Sequence, residues 1–197
     1  MRNEIVDEFK KRGYTPAQIA GILGNIAVET GGSFDYQQKQ RGAKNPAHGI
    51  FQLDPNGGKY QDYQNWLKKN KKQDSVASQV AFFDDTIFGK SVGIPGAGNA
   101  AKLRKGLESE DPATIAQIVS DLWLRPQKGK EHNDRRVQAA MNEFKALQTK
   151  PAQVAAPEPA KATPEPEQQY SSISDFMNPL MDAGGKAWDF VNSLLRR

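Results

Sequence analysis

Apolar residues near the start of the chain recur at three- and four-residue steps. Ile19, Ile22, Leu23 and Ile26 make one face of a helix. Thr15-Pro16 supplies its N-cap and first residue, and Gly31-Gly32 its end. Before it, Asn3 is expected to cap a helix running through Arg12 and stopped by Gly13. Residues 34–54 lose the helical period and alternate aromatic, polar and glycine positions, with His48-Gly49 as a turn signal. That pattern predicts a small hairpin or three-stranded sheet around Ile50 to Leu53. Helical spacing returns at 59–70, 75–88 and 98–107, from Asp111-Pro112 to Leu124, and at 133–147. The expected fold class is α+β and mostly helical, with a small β-sheet beside a cleft.

Past residue 148 the pattern changes. Residues 149–170 are rich in Pro, Ala and Glu, with Pro151, Pro157, Pro159, Pro164 and Pro166, and read as an extended linker. Beyond it Ile173, Phe176, Leu180, Trp188, Val191 and Leu194 return to helical spacing, which predicts an amphipathic helix within 171–197, weakened at Gly184-Gly185. Its apolar face calls for a partner, and the lack of a lysine-rich polar face favours protein over lipid. The expected organisation is therefore a domain over 1–148, a linker over 149–170 and a docking helix over 171–197.

Composition narrows the possibilities. An apolar fraction of 37% across 197 residues implies that part of the chain stays unpacked. Cysteine is absent, which removes disulfides and thiolate metal sites. His48 and His132 stand apart from one another and from any carboxylate at ligand spacing, so neither a metal nor another cofactor is expected. No apolar run reaches the roughly 18 to 20 residues that span a bilayer, and no charged and apolar leader opens the sequence. Lys68-Lys69, Lys71-Lys72 and Arg135-Arg136 read as solvated faces rather than a nucleic-acid surface. The net charge of +4 is a small preference for anionic surfaces.

Glu29 is the candidate for chemistry. It lies three residues beyond Ile26, on the side that meets the rest of the fold. A carboxyl group held against apolar surface keeps its proton more readily, which suits a general acid acting on a glycosidic oxygen. The plainer alternative is an ion pair with Lys39 or Arg41. Asp35 and Asp54 are the nearby carboxylates able to complete a glycosidase pair, although Asp54 before Pro55-Asn56-Gly57 also suits a turn. Gln52 offers a donor and an acceptor for an N-acetyl group or a water. Phe51, Tyr60, Tyr63 and Trp123 are candidates for stacking on sugars, with core packing as the competing role for most of them. Tyr60, Tyr63 and Trp66 fall at helical intervals, as one packed face would.

Gly24-Asn25-Ile26-Ala27-Val28-Glu29-Thr30 followed by Gly49-Ile50-Phe51-Gln52 resembles the lysozyme-like glycoside hydrolases, most closely the phage tail-associated lysozymes. A second block, Asp111 to Pro126, looks like that family's helix ending in an aromatic residue followed by E-R-P. Trp123, Arg125 and Pro126 match it, and Leu124 stands where the Glu is expected. The resemblance covers about residues 10–147. It implies a lysozyme-like fold with Glu29 as proton donor, and Gln52, Phe51, Tyr60, Trp123 and Arg125 as substrate-contacting positions.

The implied activity is a muramidase carried by a phage virion, in its tail or internal core, that opens the host wall during genome entry. Its partners would be peptidoglycan glycan strands and, through residues 171–195, other virion proteins. A lytic transglycosylase of the same fold, a non-catalytic structural virion protein and an endolysin acting at lysis are the alternatives.

Overall fold

The computed structural model describes residues 1–40, 42, 44–89, 96–129 and 131–149. The chain divides into two units, Met1–Ala152 and Gln153–Arg197. The second unit, which contains the expected docking helix and most of the expected linker, lies outside the described residues, as do residues 150–152 before it.

The first unit is helical: α1 (Arg2–Lys11), α2 (Pro16–Glu29), α3 (Lys59–Lys69), α4 (Val76–Phe88), α5 (Gly96–Leu107), α6 (Pro112–Ile118) and α7 (Asn133–Gln148). A π-helical segment, Val119–Leu124, continues α6 without a break. Helix starts follow their sequence chemistry. Thr15 closes a reciprocal capping box with Gln18, and Asp111 accepts from the backbone N–H groups of Ala113 and Thr114, each at 3.1 Å. Ser75 caps α4 through Ser78 N–H. Asn3 does not cap α1: it lies inside the first turn, where its Oδ1 accepts from Arg2.

α2 is the central element. Ile19, Ala20, Ile22, Leu23 and Ile26 are fully buried, and the helix packs against α6 and α7, which also pack on each other. A second layer of aromatic side chains joins α1, the 49–53 loop, α4 and the π-helical segment. Phe51 stacks on Phe83 at 5.1 Å between ring centroids, and both tilt against Trp123 at 4.9 Å.

The expected sheet shrinks to two isolated antiparallel bridges, Lys39 with His48 and His48 with Leu53. Between His48 and Leu53 the backbone turns back on itself through left-handed residues, Gly49 (φ 79°) and Gln52 (φ 45°). Ile50 and Phe51 are consecutive yet both buried. A strand would point one of them away from the core, so the apparent alternation here belongs to a tight turn.

Candidate functional site

The Gly24-Asn25…Glu29 segment is a docking surface for α7. A Cβ added at Gly24 would stand 2.6 Å from Ala140 N and 2.6 Å from Arg136 O, so only glycine lets the two helix backbones approach this closely. The next residue, the buried Asn25, donates from Nδ2 to Ala116 O and Gly21 O at 3.0 Å. Its Oδ1 accepts from Arg136 at 3.1 Å. Arg136, with 3% of its side chain exposed, also donates to Glu131 O at 2.7 Å and to Glu29 Oε1 at 2.8 Å. Gly24 and Asn25, consecutive on α2, thus place Arg136, which holds Glu29 one helical turn beyond Asn25; the Glu29 side chain remains 20% exposed. Glu29 Oε2 makes no hydrogen bond among the described residues.

This corrects two expectations. Arg136 is buried rather than part of a solvated face, and among the described residues it, not Lys39, pairs with Glu29; Arg41 lies outside the described residues. The sequence signal was present in the small residue Ala140 one turn beyond Arg136: a face that includes a small residue suits close contact with another helix.

The opposite wall is a loop held from behind. Thr30 Oγ1 accepts from Phe34 N–H, and the left-handed Gly31 and Gly32 reverse the chain after α2. Asp35 Oδ1 accepts from Gln37 N–H at 2.9 Å, an Asx turn, and Asp54 Oδ1 does the same with Asn56 N–H at 2.8 Å. Gln79, buried on α4, accepts from Ile50 N–H and donates to Tyr36 O and Asp74 Oδ1, each at 2.9 Å. A Cβ at Gly49 would stand 2.3 Å from the Gln79 side chain, a second reason besides its positive φ for glycine there. Gln52 spends its Nε2 on Gly49 O and Gln38 O. Its donor braces the loop, and its Oε1 accepts no hydrogen bond among the described residues.

The third wall is the π-helical segment. Arg125, left-handed at φ 51°, ends it, donating its N–H to Ser120 O at 2.7 Å. Such segments recur at functional sites. Lys59, at the start of α3, donates to Trp123 O at 3.1 Å and to Leu124 O, and lies 5.8 Å from the Trp123 ring centroid. Burial, followed by the neighbouring Arg125 cation, pushes the Lys59 ammonium down to about 8, against a smaller opposing pull from Glu29 and Asp54.

These walls enclose two cavities. One, of about 670 Å³, is lined by Glu29, Asp54, Lys59, Leu124, Arg125 and Arg136 among others; the other, of about 760 Å³, by Glu29, Ser33, Asp35, Gln37, Gln38 and Lys39 among others. Glu29, Gln40 and Gln52 line both. Asp54 lines the first cavity and Asp35 the second, and Glu29 is the carboxylate they share. Phe51 contributes to the first cavity's floor while packed in the core. Trp123 is fully buried, its Nε1 donating to Thr86 Oγ1 at 2.9 Å, and lines neither cavity. Tyr60 stacks on His48 at 4.2 Å between ring centroids and also lines neither. Burial pushes the His48 imidazole below its ordinary value. Lys59, Gln40 and Arg136 are cleft residues that carried no motif of their own.

The family model for phage tail lysozymes matches residues 1–147. The chain belongs to that family. The match covers the whole helical unit up to its last turn, so all the groove residues lie inside it. No curated protein and no solved structure matches. Phage tail lysozyme membership carries a lysozyme-like, peptidoglycan-acting role in phage. Among the described residues no helix is long and apolar enough to cross a membrane.

Proposed function

We propose that this phage tail lysozyme is a muramidase that hydrolyses the β-1,4 bond between N-acetylmuramic acid and N-acetylglucosamine, with Glu29 as proton donor. The observation that carries the reading is the position of Glu29, the carboxylate common to the linings of two neighbouring cavities. A glycan strand has to pass a general acid with sugars bound on both sides, and two cavities sharing Glu29 support that reading. Arg136 holds Oε1, leaving Oε2 to carry the proton to the leaving oxygen. Once the proton has moved, the carboxylate left behind keeps its guanidinium partner.

Asp54 and Asp35 are the candidates to activate water or to serve as nucleophile. Each has one oxygen tied to a backbone N–H, which fixes its direction. Gln52 Oε1, Gln40 and Arg125 are placed to contact sugars and their substituents; Phe51 supports the floor. Trp123 and Tyr60 act from behind the wall. In this reading the domain is carried on a phage particle and acts during entry, with residues 171–195 as the attachment to other virion proteins and the 149–170 linker as reach.

Mass spectrometry of muropeptides after digestion with the full chain tests the reaction type. Hydrolysis predicts products ending in a reducing muramic acid. Products ending in 1,6-anhydro-muramic acid would replace hydrolysis with transglycosylation. Asp35→Asn and Asp54→Asn, assayed separately, identify the second acid by which one loses turnover.

A further inference from the structure

The two sides of the groove differ in charge. With Asp54 stand Lys59, Arg125 and Arg136; with Asp35 stand Lys39 and the amides Gln37 and Gln38, while Gln40 and Gln52 line both. Arg136 is committed to Glu29, Asn25 and Glu131. The other two cations are not. Lys59 uses two donors on the carbonyls of Trp123 and Leu124, leaving one of its three. The exposed Arg125 makes no side-chain hydrogen bond or ion pair among the described residues, so its planar fork is available for a carboxylate. Asp54, the carboxylate on this side besides Glu29, already has Oδ1 on Asn56 N–H.

Resting on the muramidase reading, we propose that Arg125 and Lys59 form a carboxylate-binding subsite that takes the acidic 3-O substituent of a muramyl residue. The amide-lined side then receives the neighbouring N-acetylglucosamine, and the groove acquires a direction. N-acetylmuramic acid differs from N-acetylglucosamine by its 3-O-lactyl group, so a cation pair on one side of the bond sets which sugar lies there. The carboxylate has two sources: the lactyl group itself, once stripped of peptide, or the stem peptide attached to it. A partly desolvated ammonium next to an exposed guanidinium suits either, because burial strengthens attraction to an incoming anion.

The test uses the full chain with Glu29→Gln, so that binding is read without turnover, and compares it with the same chain carrying Arg125→Gln. The ligands are soluble peptide-bearing glycan strands, the same strands stripped by an amidase, and an N-acetylglucosamine hexamer. Arg125→Gln should weaken binding of at least one carboxylate-bearing strand by about three- to tenfold, as loss of a charge-assisted hydrogen bond does, and leave the hexamer unchanged. Whether the effect survives stripping tells the lactyl group from the peptide. Lys59→Gln should act in the same direction; because Lys59 also holds two backbone carbonyls, Arg125→Gln is the deciding variant. Equal weakening of all three ligands, or no change in any, overturns the subsite. New reducing ends released by the Glu29→Gln chain would instead count against the muramidase assignment, and they are measured separately from affinity.

Discussion

Arg136 is the residue on which the site geometry depends most. It is buried, bridges α2 and α7, and contacts Asn25, Glu29 and Glu131 at once. Removing one partner of such a set leaves the others without compensation. Arg136→Met should therefore cost about 2 to 4 kcal/mol in a urea melt and lower turnover beyond that loss of stability, since Glu29 is no longer held. Lys59 yields a pH prediction. Arg125, Glu29 and Asp54 are the charged groups that bear on it, and its ammonium titrates at about 8. Below that value it is a cation and above it neutral, so affinity for carboxylate-bearing strands should fall as pH rises through about 8. In Lys59→Met that inflection should vanish. Linkage gives stability the opposite sign. The unfolded chain holds this proton up to the ordinary 10.5 and so binds more protons than the folded one between about 8 and 10.5, and the Lys59 contribution to stability rises with pH across that window.

At the scale of elements, the contact of α2 with α7 makes the site possible, and Gly24 makes the contact possible. Gly24→Ala puts a methyl against the α7 backbone rather than a movable side chain. The helices must separate, with an expected cost of about 1 to 3 kcal/mol and displacement of Arg136 from Glu29. Comparing thermal melts and turnover of Gly24→Ala with wild type checks both. Helices were the legible part of the sequence, because Thr15-Pro16 and Asp111-Pro112 announce starts through local chemistry and the apolar period marks the buried faces. The 34–58 wall was legible only in its punctuation. Gly49 and Asp54 were readable as turn residues, but a turn that buries two consecutive residues mimics a strand. Arg136 and Lys59 were hidden for another reason: their roles come from partners 107 and 64 residues away, and a basic residue on a helix reads as solvated until that packing is known. Trp123 illustrates the converse, a sugar-stacking candidate whose indole is used in the core.

For the molecule as a whole, the described groove residues lie within the family match. The helical unit should consequently turn over peptidoglycan by itself, and deletion of residues 150–197 should leave turnover near that of the full chain while stripping the protein from phage particles. Full occupancy of virions by the truncated chain would refute attachment through 171–195. The central claim, that Glu29 donates the proton in peptidoglycan cleavage, is tested most directly by Glu29→Gln. The variant keeps an oxygen for Arg136 to bind and loses the acid, so circular dichroism and the melting temperature should stay near wild type. Release of reducing ends from purified peptidoglycan should fall by about 10² to 10⁴. A folded Glu29→Gln chain that digests peptidoglycan at the wild-type rate would contradict the account.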